Sequence, residues 1–317
     1  MVRAPARHAG GHKFKSCIAQ LILLSDCYPA RRAAAGRWIK GQPGNMKIKL
    51  ALLLFFIAAA SYADGGLQIV VEENNTGLSI TSSKGSAKTL DIPQTIDGKI
   101  VTRIEDGAFT GKGLTEVTIP DSVTIIGDGA FAFNRLETVT IGNNVTSIGR
   151  GAFTSNRLRT VTLGSSVTGI GKGAFSNNLL AAVELPSTVT VIDDYAFFNN
   201  KLNSIEIPAS VTLIGEGAFS GNRLTSIEVG AGVANIRDGA FYNNKLTSVT
   251  IPPALQTLGK RAFDARSPDG RIRGNVVYTD SIGNVLYTTA NNFDAFYASN
   301  GKKPGRYTLS EGSWSLE

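Results

Sequence analysis

The stretch that decides the fold is Pro208-Ala209-Ser210-Val211-Thr212-Leu213-Ile214-Gly215-Glu216-Gly217-Ala218-Phe219. Its closing Ala-Phe pair recurs in strict register. The phenylalanines lie 22 residues apart, at Phe109, Phe131, Phe153, Phe175, Phe197, Phe219, Phe241 and Phe263. A fixed period in the twenties indicates one supersecondary unit per repeat, because stacked units share a core that a single unit could not bury alone. We therefore predict a repeat solenoid in which equivalent side chains form columns.

Between successive phenylalanines, each unit carries a leucine followed by alternating apolar and polar residues. After Leu114, Val117 and Ile119 alternate with Glu116 and Thr118, which is the period of a strand half buried against a core. A proline or glycine follows and ends the strand, by removing a hydrogen-bond donor or by supplying turn freedom. The pattern predicts a sheet with one polar outer face.

Three other recurring features are interpreted as structural. The phenylalanine column predicts a core ladder, because the preceding alanine leaves room for close backbone stacking. Gly-x-Gly stretches such as Gly127-Asp128-Gly129 are similar to phosphate-binding loops, but they precede Ala-Phe rather than a helix, so we predict turns. We expect an asparagine column before the strand to bond backbone amides, at Asn134, Asn156, Asn178, Asn200, Asn222 and Asn244.

These units resemble the BspA-like leucine-rich repeats of bacterial surface proteins, which read like Ile-Pro-x-x-Val-x-x-Ile-Gly-x-x-Ala-Phe. The likeness covers Leu90 to Phe263. It implies export, cell-surface or extracellular placement, and adhesion to host or neighbouring-cell macromolecules, and it brings no catalytic residues. The sequence departs from the pattern at Asp193-Asp194-Tyr195, where other units carry glycines, and at Arg237.

The predicted fold class is a β-rich, right-handed leucine-rich-repeat solenoid of BspA-like type, with a 22-residue period and hairpin-like caps. Residues 1–45 are expected to be an upstream extension without order, and 46–63 a signal peptide. Residues 64–89 are expected to form an N-terminal β cap, 90–267 the solenoid, and 268–317 a C-terminal cap and tail.

Terminal segments must cover the exposed ends of a stacked array. Leu67 to Val71 and Leu78 to Thr81 predict an N-terminal hairpin, and Val276 to Asp280 with Val285 to Thr289 predict a C-terminal one. The final tail is similar to tails of some spirochaetal members of the family. Its aromatic residues either pack the cap or form an exposed patch, a choice that sequence leaves open. They are Phe296, Tyr297, Tyr307 and Trp314.

A secretory leader is predicted ahead of the repeats. Met46-Lys47-Ile48-Lys49 precedes the apolar run Leu50 to Ala60, and Ser61-Tyr62-Ala63 offers small residues for a cut after Ala63. The alternative is a membrane anchor, but a spanning helix needs about 20 apolar residues, more than this run contains. The true start, at Met1 or Met46, stays open.

Removing this leader changes the chemistry that the chain offers. The full chain has 32 Lys or Arg and 25 Asp or Glu; residues 1–63 hold ten bases and the one acid Asp26, which leaves 32 − 10 = 22 against 25 − 1 = 24. A net charge of about −2 argues against a nucleic-acid partner. Both cysteines and both histidines, at Cys17, Cys27, His8 and His12, also precede Met46.

Without cysteine or histidine, the mature chain cannot form a Ser-His-Asp or Cys-His nucleophile or a disulfide, and it lacks the preferred zinc ligands. We therefore expect no catalytic residue, no metal and no cofactor, and we predict that the protein is not an enzyme. The expected partner is a protein or another extracellular macromolecule, from a host or from the cell envelope. No membrane span is expected in the mature chain, and the oligomeric state is open.

Two charged columns are the candidate binding residues. Glu184, Glu206 and Glu228 would stack on the outer strand face, where like charges about 4.8 Å apart repel unless a cation or a basic partner lies across them. A basic column precedes the strands and is interrupted by Leu179. It consists of Arg135, Arg157, Lys201, Arg223 and Lys245. The alternative interpretation is that both columns merely keep an edge and a sheet face solvated.

The predicted size of the strand face helps to judge between these interpretations. Seven strands exposing two residues each offer roughly 230 Å², whereas a standard interface needs about 800 Å² per partner. We therefore expect that the turns bearing the basic column share any contact.

Three functions fit the sequence to different degrees. The leading hypothesis is an adhesin-like binding module with affinity spread over several repeats. The alternative is a periplasmic or envelope scaffold that binds the cell's own components. A remote alternative is a polysaccharide hydrolase using Glu184 and Glu206 as paired carboxylates, which adjacent exposed strands without an enclosing cleft disfavour.

Overall fold

The Ala-Phe phenylalanines form one continuous stack through the molecule. From Phe109 to Phe263, neighbouring rings lie 5.1–5.5 Å apart between centroids and within 2–9° of parallel. All eight rings have 0% exposure. Each stacked pair contributes about 0.5–1.5 kcal/mol beyond the burial of its area. The predicted core ladder is therefore confirmed, and it fixes one coil of chain per 22 residues.

The computed structural model describes residues 61–64, 66–263, 276–279, 285–288, 293–310 and 313–317. The predicted upstream extension at 1–45 lies outside these residues, as does 46–60 of the predicted signal peptide.

Six strands at the N-terminal end precede the regular coils. They are β1 Ser61–Asp64, β2 Leu67–Asn74, β3 Gly77–Gly85, β4 Thr89–Asp91, β5 Thr95–Ile96 and β6 Lys99–Ile104. Strands β1, β2 and β3 pair antiparallel in order, and β3 pairs parallel with β6. The predicted N-terminal hairpin is present with longer strands. Because β1 crosses the predicted cleavage point, a cut after Ala63 would leave only Asp64 of this strand.

Most complete coils then contribute one long strand and one short strand. The long strands are β7 Glu116–Ile119, β9 Thr138–Ile141, β11 Thr160–Thr162, β15 Ser226–Glu228 and β17 Ser248–Ile251. The short strands are β8 Ile125–Ile126, β10 Ser147–Ile148, β12 Gly169–Ile170, β13 Val191–Ile192, β14 Leu213–Ile214, β16 Asn235–Ile236 and β18 Thr257–Leu258.

The short strands form the longest sheet, and they were not among the elements predicted from the repeat. They pair parallel from β6 through β18 and continue into the N-terminal hairpin, which makes a twelve-stranded sheet among the described residues. One inward isoleucine or leucine per strand supplies the core, as Ile126 and Ile148 do at no more than 1% exposure. Two residues per strand suffice here because the neighbouring coil supplies the pairing partner.

A third side of each coil joins the short strand to the next leucine. Here Phe131 N donates to Ala152 O at 2.8 Å and Gly129 N donates to Arg150 O at 2.8 Å, so consecutive turns bond to one another. The first glycine of Gly-x-Gly allows this close approach, since a Cβ at Gly149 would lie 2.6 Å from the carbonyl carbon of Gly127. The Gly-x-Gly stretches are thus turns between stacked coils.

The C-terminal end closes the array with a small aromatic cluster. The elements after Phe263 are β19 Val276–Thr279, β20 Val285–Thr288, helix α1 Phe293–Ser299, β21 Gly305–Ser310 and β22 Ser313–Leu316. The antiparallel pairing of β19 with β20 confirms the predicted hairpin, whose turn lies outside the described residues. Strand β21 pairs antiparallel with β17 and so continues the long-strand sheet. The helix was not predicted.

The tail aromatics pack the cap rather than form an exposed patch. Phe293, Tyr307 and Trp314 are at most 7% exposed, and Tyr297 is 4% exposed. The Phe293 ring meets the last stack member, Phe263, edge to face, with centroids 5.0 Å apart and planes at 76°.

Candidate binding surface

The long strands present two columns of outward side chains in register. Thr138 lies opposite Glu116 and Thr160, and Thr140 lies opposite Thr118 and Thr162. The members of both columns are exposed except Ser248 and Thr250, which are half-buried where β21 pairs with β17. The structure thus confirms the predicted small, polar face.

This face is interrupted in the middle, which corrects the expectation of seven paired strands. Residues 182–185 form no strand, and Glu206 makes an isolated parallel bridge to Glu228. The long strands therefore divide into two four-stranded sheets, β4 to β11 and β15 to β22. Val161, Leu163 and Leu185, which face the core next to this interruption, are only partly buried.

The predicted acidic strip lies across this interruption. Glu184, Glu206 and Glu228 are all exposed, and Glu206 and Glu228 occupy paired positions of adjacent coils. Glu184 belongs to the unpaired segment, so the structure brings two of the three carboxylates into one register and leaves the third on a coil without strand pairing.

The predicted asparagine column, which we call the asparagine ladder, fixes the corner of the coil that precedes each long strand. Its members are Asn134, Asn156, Asn178, Asn200, Asn222 and Asn244. Asn156 Oδ1 accepts a bond from Leu136 N at 3.0 Å, while its Nδ2 donates to Phe131 O and Phe153 O at 3.0 and 3.1 Å. The other five asparagines bond in the same way and are at most 8% exposed. The predicted turn role is confirmed, and each amide ties three backbone groups of two adjacent coils.

The predicted basic column follows this ladder directly and stays in register. We call Arg135, Arg157, Lys201, Arg223 and Lys245 the basic ridge. The backbone N–H of each member donates to a leucine carbonyl of the preceding coil at 2.8–2.9 Å. Leu179 N makes the same bond to Leu158 O at 2.9 Å. The backbone register of the ridge is therefore unbroken where the long strands are interrupted. Lys201 is half-buried and the others are exposed.

A second cluster lies on the third side of the coil that lacks its long strand. Tyr195 takes a left-handed φ of 57°, where six other units have glycine. Its hydroxyl donates to Glu216, and Lys172 Nζ lies 5.7 Å from its ring centroid. Lys172 and Arg237 both contact the Asp194 carboxylate, at 3.6 and 3.1 Å. We call Lys172, Asp194, Tyr195, Glu216 and Arg237 the Tyr195 cluster.

The charges of the Tyr195 cluster shift two pKa values. Burial alone would raise the pKa of Asp194, but the hydrogen bond from the Glu216 amide and the cations Arg237 and Lys172 outweigh it, so its pKa lies below the ordinary 3.8. The hydrogen bond to Glu216, with burial and the nearby carboxylates, raises the pKa of Tyr195 to about 12. The departures at 193–195 and Arg237 are visible in the sequence, but their mutual contacts are not predicted by it.

The described residues hold no group of three or more His, Cys, Asp or Glu side chains placed to hold a metal ion. Within the same part of the chain, no helix has the length and apolar character that crossing a membrane requires.

Comparison with protein families identifies these coils. The BspA type Leucine rich repeat region matches six copies, over residues 82–203 and 190–270. The chain belongs to this BspA-type family. The match agrees with the 22-residue coil and with the solenoid described above. Leucine-rich-repeat proteins of this type are in general binding modules without catalysis. A comparison with curated proteins finds no match to the chain.

Solved structures similar to this BspA-type chain come from several bacteria. A leucine rich cell surface protein from Faecalibacterium prausnitzii is 28% identical, with 64% of this chain and 73% of that chain covered and a TM-score of 0.40. A leucine rich repeat protein from T. pallidum is 23% identical, covering 64% and 99%, with a TM-score of 0.46. The pneumococcal vaccine antigen PcpA is 17% identical, covering 66% and 69%, with a TM-score of 0.42. These TM-scores lie below 0.5, so the assignment rests on the family match and the coil geometry.

Proposed function

We propose that this BspA-type chain is an exported, surface-displayed binding module of adhesin type, without catalytic function. One observation carries the proposal: exposed side chains stand in register on stacked coils whose corners are held by the buried asparagine ladder. A surface that is already ordered loses little conformational entropy on binding, so weak contacts spread over several coils add up to useful affinity.

The docking surface that we propose joins the outer strand face to the basic ridge. The six residues from the Arg135 column to the Thr140 column span roughly 20 Å along the chain, and seven coils span roughly 30 Å, for about 600 Å² in total. That area approaches a standard interface, which the strand face alone does not. Opposite charges at the two margins, acidic at Glu206 and Glu228 and basic at the ridge, would orient the partner.

Export and surface display rest on the predicted leader and on the family. The leader prediction depends on Met46-Lys47-Ile48-Lys49 and the apolar run after it. Digestion of intact cells with an added protease separates surface display from an envelope scaffold facing the periplasm. Loss of the chain from intact cells supports surface display, and its protection until the outer envelope is opened supports the scaffold.

Binding itself is tested with the full chain against extracellular-matrix and envelope fractions. A variant with Arg157→Glu, Lys201→Glu and Arg223→Glu should retain less of the partner, because the ridge then repels what it attracted. A matched variant with Lys84→Glu, Arg150→Glu and Lys260→Glu changes the net charge equally and alters exposed residues off the proposed surface. Equal retention by both variants contradicts a role for the ridge, and no retained partner for any protein contradicts the binding function.

A further inference from the structure

The cations of the basic ridge have no carboxylate partner in the part of the chain that the structure describes. None of the five lies within 4.0 Å of an Asp or Glu oxygen there. Some cations elsewhere do find such partners, as Lys99 does with Glu73 and Arg103 with Glu105, but none of the five ridge members does so among the described residues. The ridge is therefore a row of like charges whose neutralisation is left to something outside the chain.

The spacing of the ridge is set by the coils and not by flexible side chains. Neighbouring coils are 5.1–5.5 Å apart at the phenylalanine rings. Five coil steps separate Arg135 from Lys245, so the ridge runs roughly 25 Å parallel to the stacking axis. A ligand that contacts every cation must be long, linear and negatively charged at short intervals.

Columns of short polar side chains flank the ridge on both sides. On one side lie Ser155, Asn177, Asn199 and Asn243, and on the other lie Thr138, Thr160, Ser204 and Ser226. Their hydroxyl and amide groups both donate and accept hydrogen bonds, which suits a ligand covered with hydroxyl groups. Between the ridge and the second column, the exposed Glu137 repels an anion locally and the exposed Arg159 adds a cation. Beyond the second column, Glu206 and Glu228 repel an anion, so the ligand is held to the ridge side and aligned along the axis.

We propose that the basic ridge binds a linear sulfated polysaccharide lying along the stacking axis. This inference rests on the proposed function and names the partner class for the same surface. Arginine forks pair with oxyanions in two-bond geometry, and three of the five ridge cations are arginines. A sulfated chain carries more anions per sugar than a chain with carboxylates alone, and so can meet cations one coil apart with more than one oxyanion each.

The flanking residues favour a polysaccharide over nucleic acid. Proteins that bind single-stranded nucleic acid combine basic grooves with aromatic platforms that stack the bases. The columns beside the ridge are mostly serine, threonine, asparagine, glycine and alanine, with the charged Glu137 and Arg159 and one aromatic residue, Phe133. Hydrogen bonding to sugar hydroxyls, rather than stacking, is what this surface offers along its length.

The test measures binding of heparin to three versions of the full chain across a range of salt concentrations. The ridge variant carries Arg135→Gln, Arg157→Gln and Arg223→Gln, and the control variant carries Lys84→Gln, Arg150→Gln and Lys260→Gln. Both lose three charges, and both keep the ten bases of residues 1–63, so binding by the leader is equal in each. We expect the ridge variant to bind heparin about tenfold or more weakly than the control, with the slope of log affinity against log salt smaller by about 2.

A third variant with lysine at the three ridge arginines preserves the charge but loses the two-bond forks, so its affinity should lie between those of the control and the glutamine variant; this guards against a loss that reflects folding alone. Equal heparin affinity in the ridge and control variants overturns the proposal. So does equal binding of unsulfated hyaluronan, or of a single-stranded oligonucleotide with the same dependence on the ridge. If a matrix protein is still captured after heparin-degrading enzymes and in excess heparin, the binding function stands and the polysaccharide inference fails.

Discussion

The ring of Tyr195 covers the α-carbon of Gly217 in the next coil, so that a Cβ added at Gly217 would lie 2.6 Å from Tyr195 Cε1. Tyr195 itself stands one coil earlier in the same column, at a left-handed φ of 57°. A non-glycine residue costs about 1–2 kcal/mol in that conformation. The bulky residue is thus tolerated because the following coil has glycine to receive its ring.

Replacing Gly217 by alanine tests this relationship. Gly239 occupies the same column at a φ of +60°, but its nearest neighbour is Tyr242 Cβ at 3.5 Å. We expect Gly217→Ala to lower the free energy of unfolding by about 1–2 kcal/mol more than Gly239→Ala, because the methyl group meets the ring. Urea denaturation measures both. In a Tyr195→Gly background the difference between the two alanine variants should vanish, and a persisting difference would disprove the contact.

Asn178 is expected to be a costly residue to remove. Its side chain accepts from Leu158 N at 3.1 Å and donates to Phe153 O and Phe175 O at 2.9 and 3.1 Å, all in the interior. Asn178→Ala leaves these backbone groups unpaired, so we expect a loss of about 2–4 kcal/mol in the free energy of unfolding. The exposed Asn203 provides the control, and Asn203→Ala should change stability by less than about 0.5 kcal/mol.

Two phenylalanines two residues apart should differ strongly in what their replacement costs. Phe131 belongs to the buried stack at 0% exposure, so Phe131→Ala should cost about 3–5 kcal/mol. Phe133 is 48% exposed at a φ of 57°, a position held by asparagine in three other coils. Phe133→Asn relieves backbone strain and should cost less than about 0.5 kcal/mol. Thermal unfolding compares the two, and equal losses would contradict the assignment of their roles.

The interrupted long-strand sheet makes a prediction for hydrogen exchange. Residues 182–185 form no strand, whereas Thr138–Ile141 pairs on both sides. Amides that lack a ladder open to solvent more readily. We expect peptides covering 182–185 to exchange faster than those covering 138–141 under native conditions, as measured by mass spectrometry. Equal protection would show that the strand pairing is unbroken.

Acid should weaken the Tyr195 cluster through Asp194. Its folded pKa lies below the ordinary 3.8, so its stabilisation is present above that value and is lost as the pH falls through the folded pKa. We expect Asp194→Asn to reduce the dependence of the urea midpoint on pH below about 4. Asp128 accepts the equivalent backbone bond, from Arg150 N at 2.6 Å, without an ion pair among the described residues. Asp128→Asn should therefore leave more of that pH dependence in place.

The features that sequence predicted are those that repeat. The phenylalanine stack, the asparagine ladder and the long strands each recur at one phase, so a single interpretation applied to every coil. The short strands also recur every 22 residues, but they escaped because two residues, such as Gly169 and Ile170, are too few to show the alternation of a strand and pair only through neighbouring coils. The tail helix Phe293–Ser299 is too brief to show an amphipathic period.

The candidate site was predicted in part. The positions of the basic ridge and of the acidic strip followed from repeat phase alone. The interruption at residues 182–185 did not, since Val183 and Leu185 keep the same alternation as Val139 and Ile141 in a paired strand. Contacts of the Tyr195 cluster join residues 21 to 43 positions apart, and its signal was the replacement of glycines at Asp193-Asp194-Tyr195.

A stack of parallel rings does not by itself limit its own length, because the flat face of its last ring can stack on the first ring of an identical molecule. Phe293 turns its plane by 76° against Phe263 and so removes that matching face. The array thereby has a defined length, and the end of one molecule is not a template on which the next could add. Together with β21, which pairs with the last long strand β17, the turned ring disfavours end-to-end growth into fibres.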